Sequence, residues 1–140
     1  MIAPDANLLI YPYTPRDPLH RAGRTWFETA LSGTEAVGLP ILSIHAFMRV
    51  LTHPRSGIPV HEAAAVVNSW LELSHVRVLY PGERHLQIYW KLSAASQIRG
   101  TQLTDVAIAA IAQEHGAVVY SHDRGFARFP GLHWVDPLQE

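Results

Sequence analysis

The spacing of apolar residues changes along this chain, and the changes divide it into strands alternating with helices. Ile2 to Tyr11 is apolar, carries strand formers at Leu8, Leu9 and Ile10, and stops at Pro12 and Pro15, which predicts a first, buried strand. From Pro18 to Leu31, Leu19, Ala22, Trp26 and Ala30 recur at helical spacing, with Gly33 as the stop. A second helix is predicted from Ser43, as its N-cap, through Ala46, Phe47, Val50 and Leu51 to the break at His53-Pro54. Ala63, Val66, Val67, Trp70 and Leu71 make the stripe of a third helix, and Val76 to Tyr80 alternates into a strand closed by Pro81-Gly82. A fourth helix is expected over His85 to Gln97. Thr104 is placed to cap a fifth, from Asp105 to His115, ended by Gly116 before a strand from Ala117 to Ser121; His133 to Val135 is the last strand. No hairpin turn signal separates the strands, so the expected fold class is α/β, three layers α/β/α around a mostly parallel sheet of about four to five strands.

A length of 140 residues suits one domain with its own core, and no repeat, linker or low-complexity segment divides it, so residues 1–140 are expected to form a single domain. Cysteine is absent, which excludes disulfides, thiolate zinc sites and cysteine nucleophiles and is compatible with a reducing compartment. No apolar run approaches the roughly 18 residues of a membrane span, and Pro4 and Asp5 stand where a signal peptide needs a basic start and an apolar stretch. The expectation is a cytoplasmic protein without membrane contact. The formal charge of -1 means that any nucleic-acid binding must come from a local basic patch. Arg supplies ten of the eleven cationic residues, a planar fork suited to phosphate, although codon bias alone also produces such a skew.

In an open parallel sheet, ligands collect beyond the carboxyl ends of the strands, which directs attention to the acids near strands and in strand-to-helix loops. Asp5 falls within the first predicted strand, with Asn7 on the same face by the period of two and able to orient it. Asp105 sits in the first turn of a helix, where free N–H groups favour an anion, and Asp123 follows the strand ending at Ser121. Taken singly, each has an ordinary structural explanation: a wet strand entry, a helix-dipole partner, a turn acid. Together they can converge at one sheet end, and hard oxygen ligands suit magnesium or manganese.

Two blocks of residues carry a family resemblance. Asp5-Ala6-Asn7-Leu8-Leu9 is one; the other is Thr104-Asp105 with Ala109-Ala110-Ile111-Ala112, then Glu114-His115-Gly116 and Val118 through Phe126. In order, and about a hundred residues apart, these resemble the start and the C-terminal block of the PIN-domain ribonuclease toxins of the VapC type, over essentially the whole chain. The resemblance implies a PIN-like fold and the toxin of a type II toxin–antitoxin system. It also implies an endoribonuclease dependent on Mg(2+), with Mn(2+) as substitute, acting on single-stranded or looped RNA. Asp5, Asp105 and Asp123 become its catalytic and metal-binding acids, with Asn7, Ser121 and Thr104 in support. Attack by activated water leaves a 5′-phosphate and a 3′-hydroxyl. A VapB-type antitoxin that plugs the site, and a homodimer within a larger complex, are the implied partners.

The chain departs from that pattern at Ala46, where relatives carry a Glu on the second helix, and at Gly125, where many place another acid. Asp17, Glu28 or Glu35 can supply the missing ligand from elsewhere, or water can complete the shell. Ser121 either orients Asp123 or a bound water, or is satisfied by backbone. Arg49, Arg99, Arg124 and Arg128 are the candidates for RNA backbone contact, each equally readable as a solvated charge. Of the nine His, His122 beside Asp123 is the one singled out for substrate contact; His61-Glu62 lacks the second His of a zincin helix. Trp26, Phe27, Trp70, Tyr89 and Trp90 read as core or dimer contacts. Two rival functions remain: a catalytically degenerate domain that binds RNA or antitoxin without turnover, and a haloacid-dehalogenase-like phosphatase. The second needs a lysine near the phosphate, and the only Lys is Lys91.

Overall fold

The computed structural model describes residues 1–95 and 97–138. Five strands, β1 (Ile2–Pro4), β2 (Val37–Pro40), β3 (Val76–Leu79), β4 (Val118–Tyr120) and β5 (Trp134–Val135), form one sheet in the order β3-β2-β1-β4-β5, and every pairing is parallel. The helices are α1 (Ala6–Ile10), α2 (His20–Ser32), α3 (Ile41–Leu51), α4 (Val60–Leu71), α5 (His85–Ala95) and α6 (Leu103–Glu114), with 3-10 turns at Tyr11–Tyr13, Gly100–Gln102 and Arg124–Arg128. This is the expected three-layer arrangement, because consecutive side chains of a strand enter opposite layers. Ile2 joins the cluster built with Phe27, Phe47 and Trp70, whereas Ala3 joins the one built with Leu92, Ile111, Phe126 and Phe129. In the first cluster Trp70 meets Phe27 and Phe47 edge-on at 5.0 and 4.9 Å between ring centroids. Truncating the fully buried Phe47 to Ala is therefore expected to cost about 3–5 kcal/mol. Trp90, by contrast, leaves the core and is 61% exposed.

Four local expectations are corrected. The first strand ends at Pro4: Asp5 has extended backbone and its carboxylate accepts from Leu8 N–H, so residues 6–10 turn into a helix whose buried Leu8 and Leu9 look like a strand run on paper. Strand β2 is absent from the sequence expectation because Gly38 and Pro40 look like breakers. Gly38 is needed there, since a Cβ would lie 2.6 Å from the Leu79 side chain on the neighbouring strand. Helix α3 begins at Ile41, with Pro40 in the N-cap position; Ser43 lies inside it, buried, donating its hydroxyl to the Pro4 carbonyl at 3.0 Å. Helix α6 begins at Leu103 after a 3-10 turn, so Thr104 is a helical residue with Gln102 as N-cap. Gly116, at φ 66°, ends that helix as expected. The predicted end of α5 near Gln97 passes through Ser96, which lies outside the described residues; the helix itself runs to Ala95.

Candidate active site

At the carboxyl end of β1 the chain must leave a buried strand and start a helix, and Asp5 performs that turn. It is 5% exposed. One carboxylate oxygen accepts from Leu8 N–H at 3.3 Å, and the other receives a short hydrogen bond from the Ser121 hydroxyl. Burial pushes its pKa from 3.8 to about 6; the bonds from Ser121, Leu8 and the backbone of Asn7 pull the other way, and the charge of Asp105 raises it further. Asn7 thus supports Asp5 through its main chain, which corrects the idea of a side-chain amide sharing a strand face. Ser121 holds a double role: besides donating to Asp5, it accepts the Asp123 N–H at 2.9 Å and so ties the end of β4 to the end of β1.

Asp105, in the first turn of α6, is half-buried, and desolvation raises its pKa; Asp123 raises it further and Arg128 opposes the rise. Asp123 caps the 3-10 turn that follows β4, accepting Gly125 N–H at 2.8 Å. These three acids line one cleft of about 300 Å³ together with Asn7, Ala46, Arg49, Thr101 and Thr104. Ala46 therefore faces the cleft from α3. The remaining predicted arginines lie outside that lining. Arg99 precedes the 3-10 turn at 100–102, Arg124 is exposed after β4, and Arg128 stacks over Phe129 at 5.2 Å while its charge reaches Asp105.

The substitute acids suggested for Ala46 point elsewhere. Asp17 accepts Leu19 N–H at 2.8 Å, Glu28 pairs with Arg24 at 2.9 Å on the exposed side of α2, and Glu35 lines a separate groove beside Trp26 and Tyr120. Lys91 is exposed on α5 and does not line the cleft, so the lysine required by the phosphatase reading is missing. Two residues that sequence reasoning did not weigh stand beside the site. The Tyr11 phenol is pushed up to about 12, by burial first and then by the charges of Asp5, Asp17, Asp123 and Asp136. Asp136, just past β5, pairs with His122. Tyr11 stays near Asp5 because it follows the short helix that Asp5 caps, whereas Asp136 meets His122 only through the pairing of β4 with β5.

The donors around the cleft are hard oxygens; the charge of Asp105 raises the pKa of Asp5, and that of Asp123 raises the pKa of Asp105, an excess of negative charge that a divalent cation would relieve. Among the described residues, no three acid or imidazole side chains stand close enough to hold one ion between them. The donor set fits a hard cation that retains several waters.

Comparison with known proteins gives concordant likenesses. The PIN domain family matches residues 2–132. Ribonuclease VapC33 of Mycobacterium tuberculosis (strain ATCC 25618 / H37Rv) is 37% identical over 147 aligned residues, covering 100% of both chains. Ribonuclease VapC37 of the same strain is 31% identical over 137, covering 95% of this chain and 94% of its own length. Among solved structures, FitAB bound to IR36 DNA fragment superposes with a TM-score of 0.76 at 20% identity, covering 100% of this chain and 97% of that one. VapBC-1 from nontypeable Haemophilus influenzae gives 0.71 at 23%, covering 99% and 100%.

Proposed function

The chain belongs to the PIN-domain family, and from that premise we propose that it is the toxin of a type II toxin–antitoxin pair, an endoribonuclease that uses a divalent metal, Mg(2+), to hydrolyse RNA. The observation that carries the reading is the convergence of Asp5, Asp105 and Asp123 on one cleft at the carboxyl edge of the sheet, where the charge of Asp105 raises the pKa of Asp5 and that of Asp123 raises the pKa of Asp105. The full-length relatives named as ribonucleases support the same reaction.

Asp5, Asp105 and Asp123 would hold the metal, which when bound lowers the pKa of a water and offsets charge developing on the phosphate. Ser121 and the Leu8 N–H fix the Asp5 carboxylate, so its orientation is set before substrate arrives. Asp123 is held from both sides, by its own N–H to Ser121 and by Gly125 N–H to its carboxylate. Thr104 lines the same wall one residue before Asp105. Arg49, in the last turn of α3, offers its guanidinium to a substrate phosphate from the opposite wall. Arg99, Arg124 and Arg128 are the outer contacts for the strand. The excess negative charge also suits a basic side chain from a VapB-type antitoxin, which would occupy the cleft in competition with metal. The likeness to VapBC complexes supports such a partner, and a homodimer within the larger complex belongs to the same reading. No helix among the described residues is long and apolar enough to cross a membrane.

Purified chain incubated with RNA and magnesium is expected to release fragments bearing 5′-phosphate and 3′-hydroxyl ends, with EDTA stopping the reaction. Expression without antitoxin is expected to halt growth. Binding of RNA with no shortening at any magnesium concentration would replace this reading with that of a degenerate binding domain, consistent with Ala46 in the cleft wall.

A further inference from the structure

Ser121 and Asp123 serve the cleft, whereas His122 between them turns toward the edge strand β5. Its Nδ1 lies 2.9 and 3.1 Å from the two carboxylate oxygens of Asp136. The Asp136 side chain is 3% exposed and also accepts Leu138 N–H at 2.9 Å, while the His122 side chain remains 40% exposed. A carboxylate that already accepts a backbone N–H meets the ring as an acceptor again, so Nδ1 carries the proton. In the neutral imidazole, Nε2 on the far side of the ring then carries a lone pair.

The pair also has a definite place along the carboxyl edge. In sheet order, Arg49 comes from the helix after β2, Asp5 from the end of β1, Asp123 from the end of β4, and the His122–Asp136 contact bridges β4 to β5. His122 immediately precedes Asp123, which lines the cleft, so the pair lies beside that end of it. A strand laid along this edge, with one phosphate at the acids and another near Arg49, would bring a flanking nucleotide toward the β4 side, where His122 lies. A lone pair repels phosphate oxygens, but it suits a hydroxyl donor, and the ribose 2′-hydroxyl is the donor that RNA carries and DNA lacks.

We propose that His122 reads ribose: its Nε2 accepts a hydrogen bond from the 2′-hydroxyl of a nucleotide flanking the scissile phosphate, and Asp136 is a positioning residue that fixes the ring. This rests on the reading of the cleft as an RNA site. No proton or bond is transferred; the contact decides which nucleic acid is held.

The test is fluorescence anisotropy with a short labelled single-stranded RNA and the DNA of the same sequence, in calcium in place of magnesium, for the full chain and its variants. Wild type is expected to prefer RNA. His122→Ala should weaken RNA binding by about fivefold to tenfold and leave DNA binding unchanged. His122→Gln, which restores an acceptor, should recover part of the preference, and His122→Lys, a pure donor, should not. Asp136→Ala should act in the same direction and add nothing to His122→Ala in the double variant. In magnesium, the loss should fall on KM more than on kcat. An unchanged RNA-to-DNA ratio in His122→Ala overturns the proposal, even if that variant loses affinity for antitoxin. Full rescue by Lys on both nucleic acids also overturns it, in favour of a phosphate contact. Wild type that cuts RNA while His122→Ala keeps its preference sinks this inference alone. Wild type that never cuts RNA yet shows the His122-dependent preference sinks the nuclease reading alone, and equal binding of RNA and DNA by wild type sinks the ribose contact.

Discussion

Glu114 and Asp5 are both carboxylates that accept backbone N–H groups, yet the fold treats them in opposite ways. Glu114, at the end of α6, accepts Gly82 N–H at 2.7 Å and Arg84 N–H at 3.0 Å, clasping the loop between β3 and α5. Desolvation, the largest single influence, pushes its pKa up, but those two bonds together with the nearby His115 and His85 outweigh it and hold the carboxyl below its usual range. Asp5 has a comparable bond from Leu8, but it is buried and faces Asp105, and its pKa rises to about 6. A clasp lowers the energy of the ion it holds, whereas the cleft raises the energy of its ions. Sites that bind cations are built in the second way, because a ligand that relieves stored repulsion is bound more tightly.

The sharpest way to break the comparison is to remove cleft acids one at a time. Asp5→Asn and Asp105→Asn keep size and one accepting oxygen but delete the charge; at Asp5 an amide NH2 also replaces one of the two oxygens that accept from Leu8 N–H and the Ser121 hydroxyl. Loss of a partner that merely supports a metal ligand costs about 10–100-fold in activity, so loss of a proposed ligand is expected to cost more than about 100-fold in magnesium-dependent cleavage. Circular dichroism of both variants should match wild type. Cleavage of RNA at the wild-type rate by either one would mean that the cleft is not the active site.

The same Asp5→Asn substitution should stabilise the fold, which sharpens the contrast with Glu114. A carboxyl whose folded pKa is raised holds a proton that the unfolded chain has released. Stability is then undiminished below pH 3.8, falls as pH climbs toward about 6, and carries the whole penalty above that. Lifting the pKa from 3.8 to about 6 sets that penalty at about 3 kcal/mol. Asp105, raised by desolvation and Asp123, contributes with the same sign. Asp5→Asn is therefore expected to melt higher than wild type at pH 7.5 and alike near pH 4. Magnesium should raise the wild-type Tm at pH 7.5 and raise that of the variant less. A lower Tm for Asp5→Asn at neutral pH would show that the cap, not the charge, dominates at this position.

Which parts of this arrangement can be read from the sequence follows the range of the interactions. Helices α2 and α4 and strand β3 are legible because their apolar period is local. Asp5 is recognisable as an important acid, but its role as a cap is hidden: the run through Leu8, Leu9 and Ile10 has the composition of a strand, and only the Leu8 N–H bond reveals the turn. Strand β2 is hidden for the opposite reason, since Gly38 and Pro40 look wrong until Leu79 occupies the space where a side chain would be. The partnership of Ser121 with Asp5, 116 residues away, and that of His122 with Asp136 depend on β4 lying between β1 and β5. No local pattern encodes that order.

Ala46→Glu tests whether the cleft tolerates more of the same frustration. Position 46 lines the cleft, so the new carboxylate would join the three acids without entering the core, and Glu is a good helix former. Without metal, the added charge should lower the Tm at neutral pH. With magnesium, calorimetric titration is expected to show affinity raised by about tenfold, on the order of one added charge contact. A stable variant with unchanged affinity would mean that residue 46 does not supply the missing ligand.

The smallest effect is expected at the clasp. Glu114→Gln keeps one amide oxygen to accept from Gly82 or Arg84 but gives up the second acceptor and the charge that faces His115 and His85. The site is exposed, so water replaces what is lost and the ion contacts are screened; the cost should stay below about 1 kcal/mol, visible as a drop of a few degrees in Tm. Its pH dependence must run opposite to that of the Asp5 variant. A carboxyl with a lowered folded pKa adds stability above its unfolded value and loses it as pH falls through the folded one, so wild type and Glu114→Gln should differ at pH 7.5 and converge in acid. RNA cleavage and magnesium affinity should match wild type, because the clasp contributes no side chain to the cleft. If Glu114→Gln instead lowered magnesium affinity, the two carboxylates would be coupled along α6, and the division between a clasp that stabilises its ion and a cleft that strains its own would not hold.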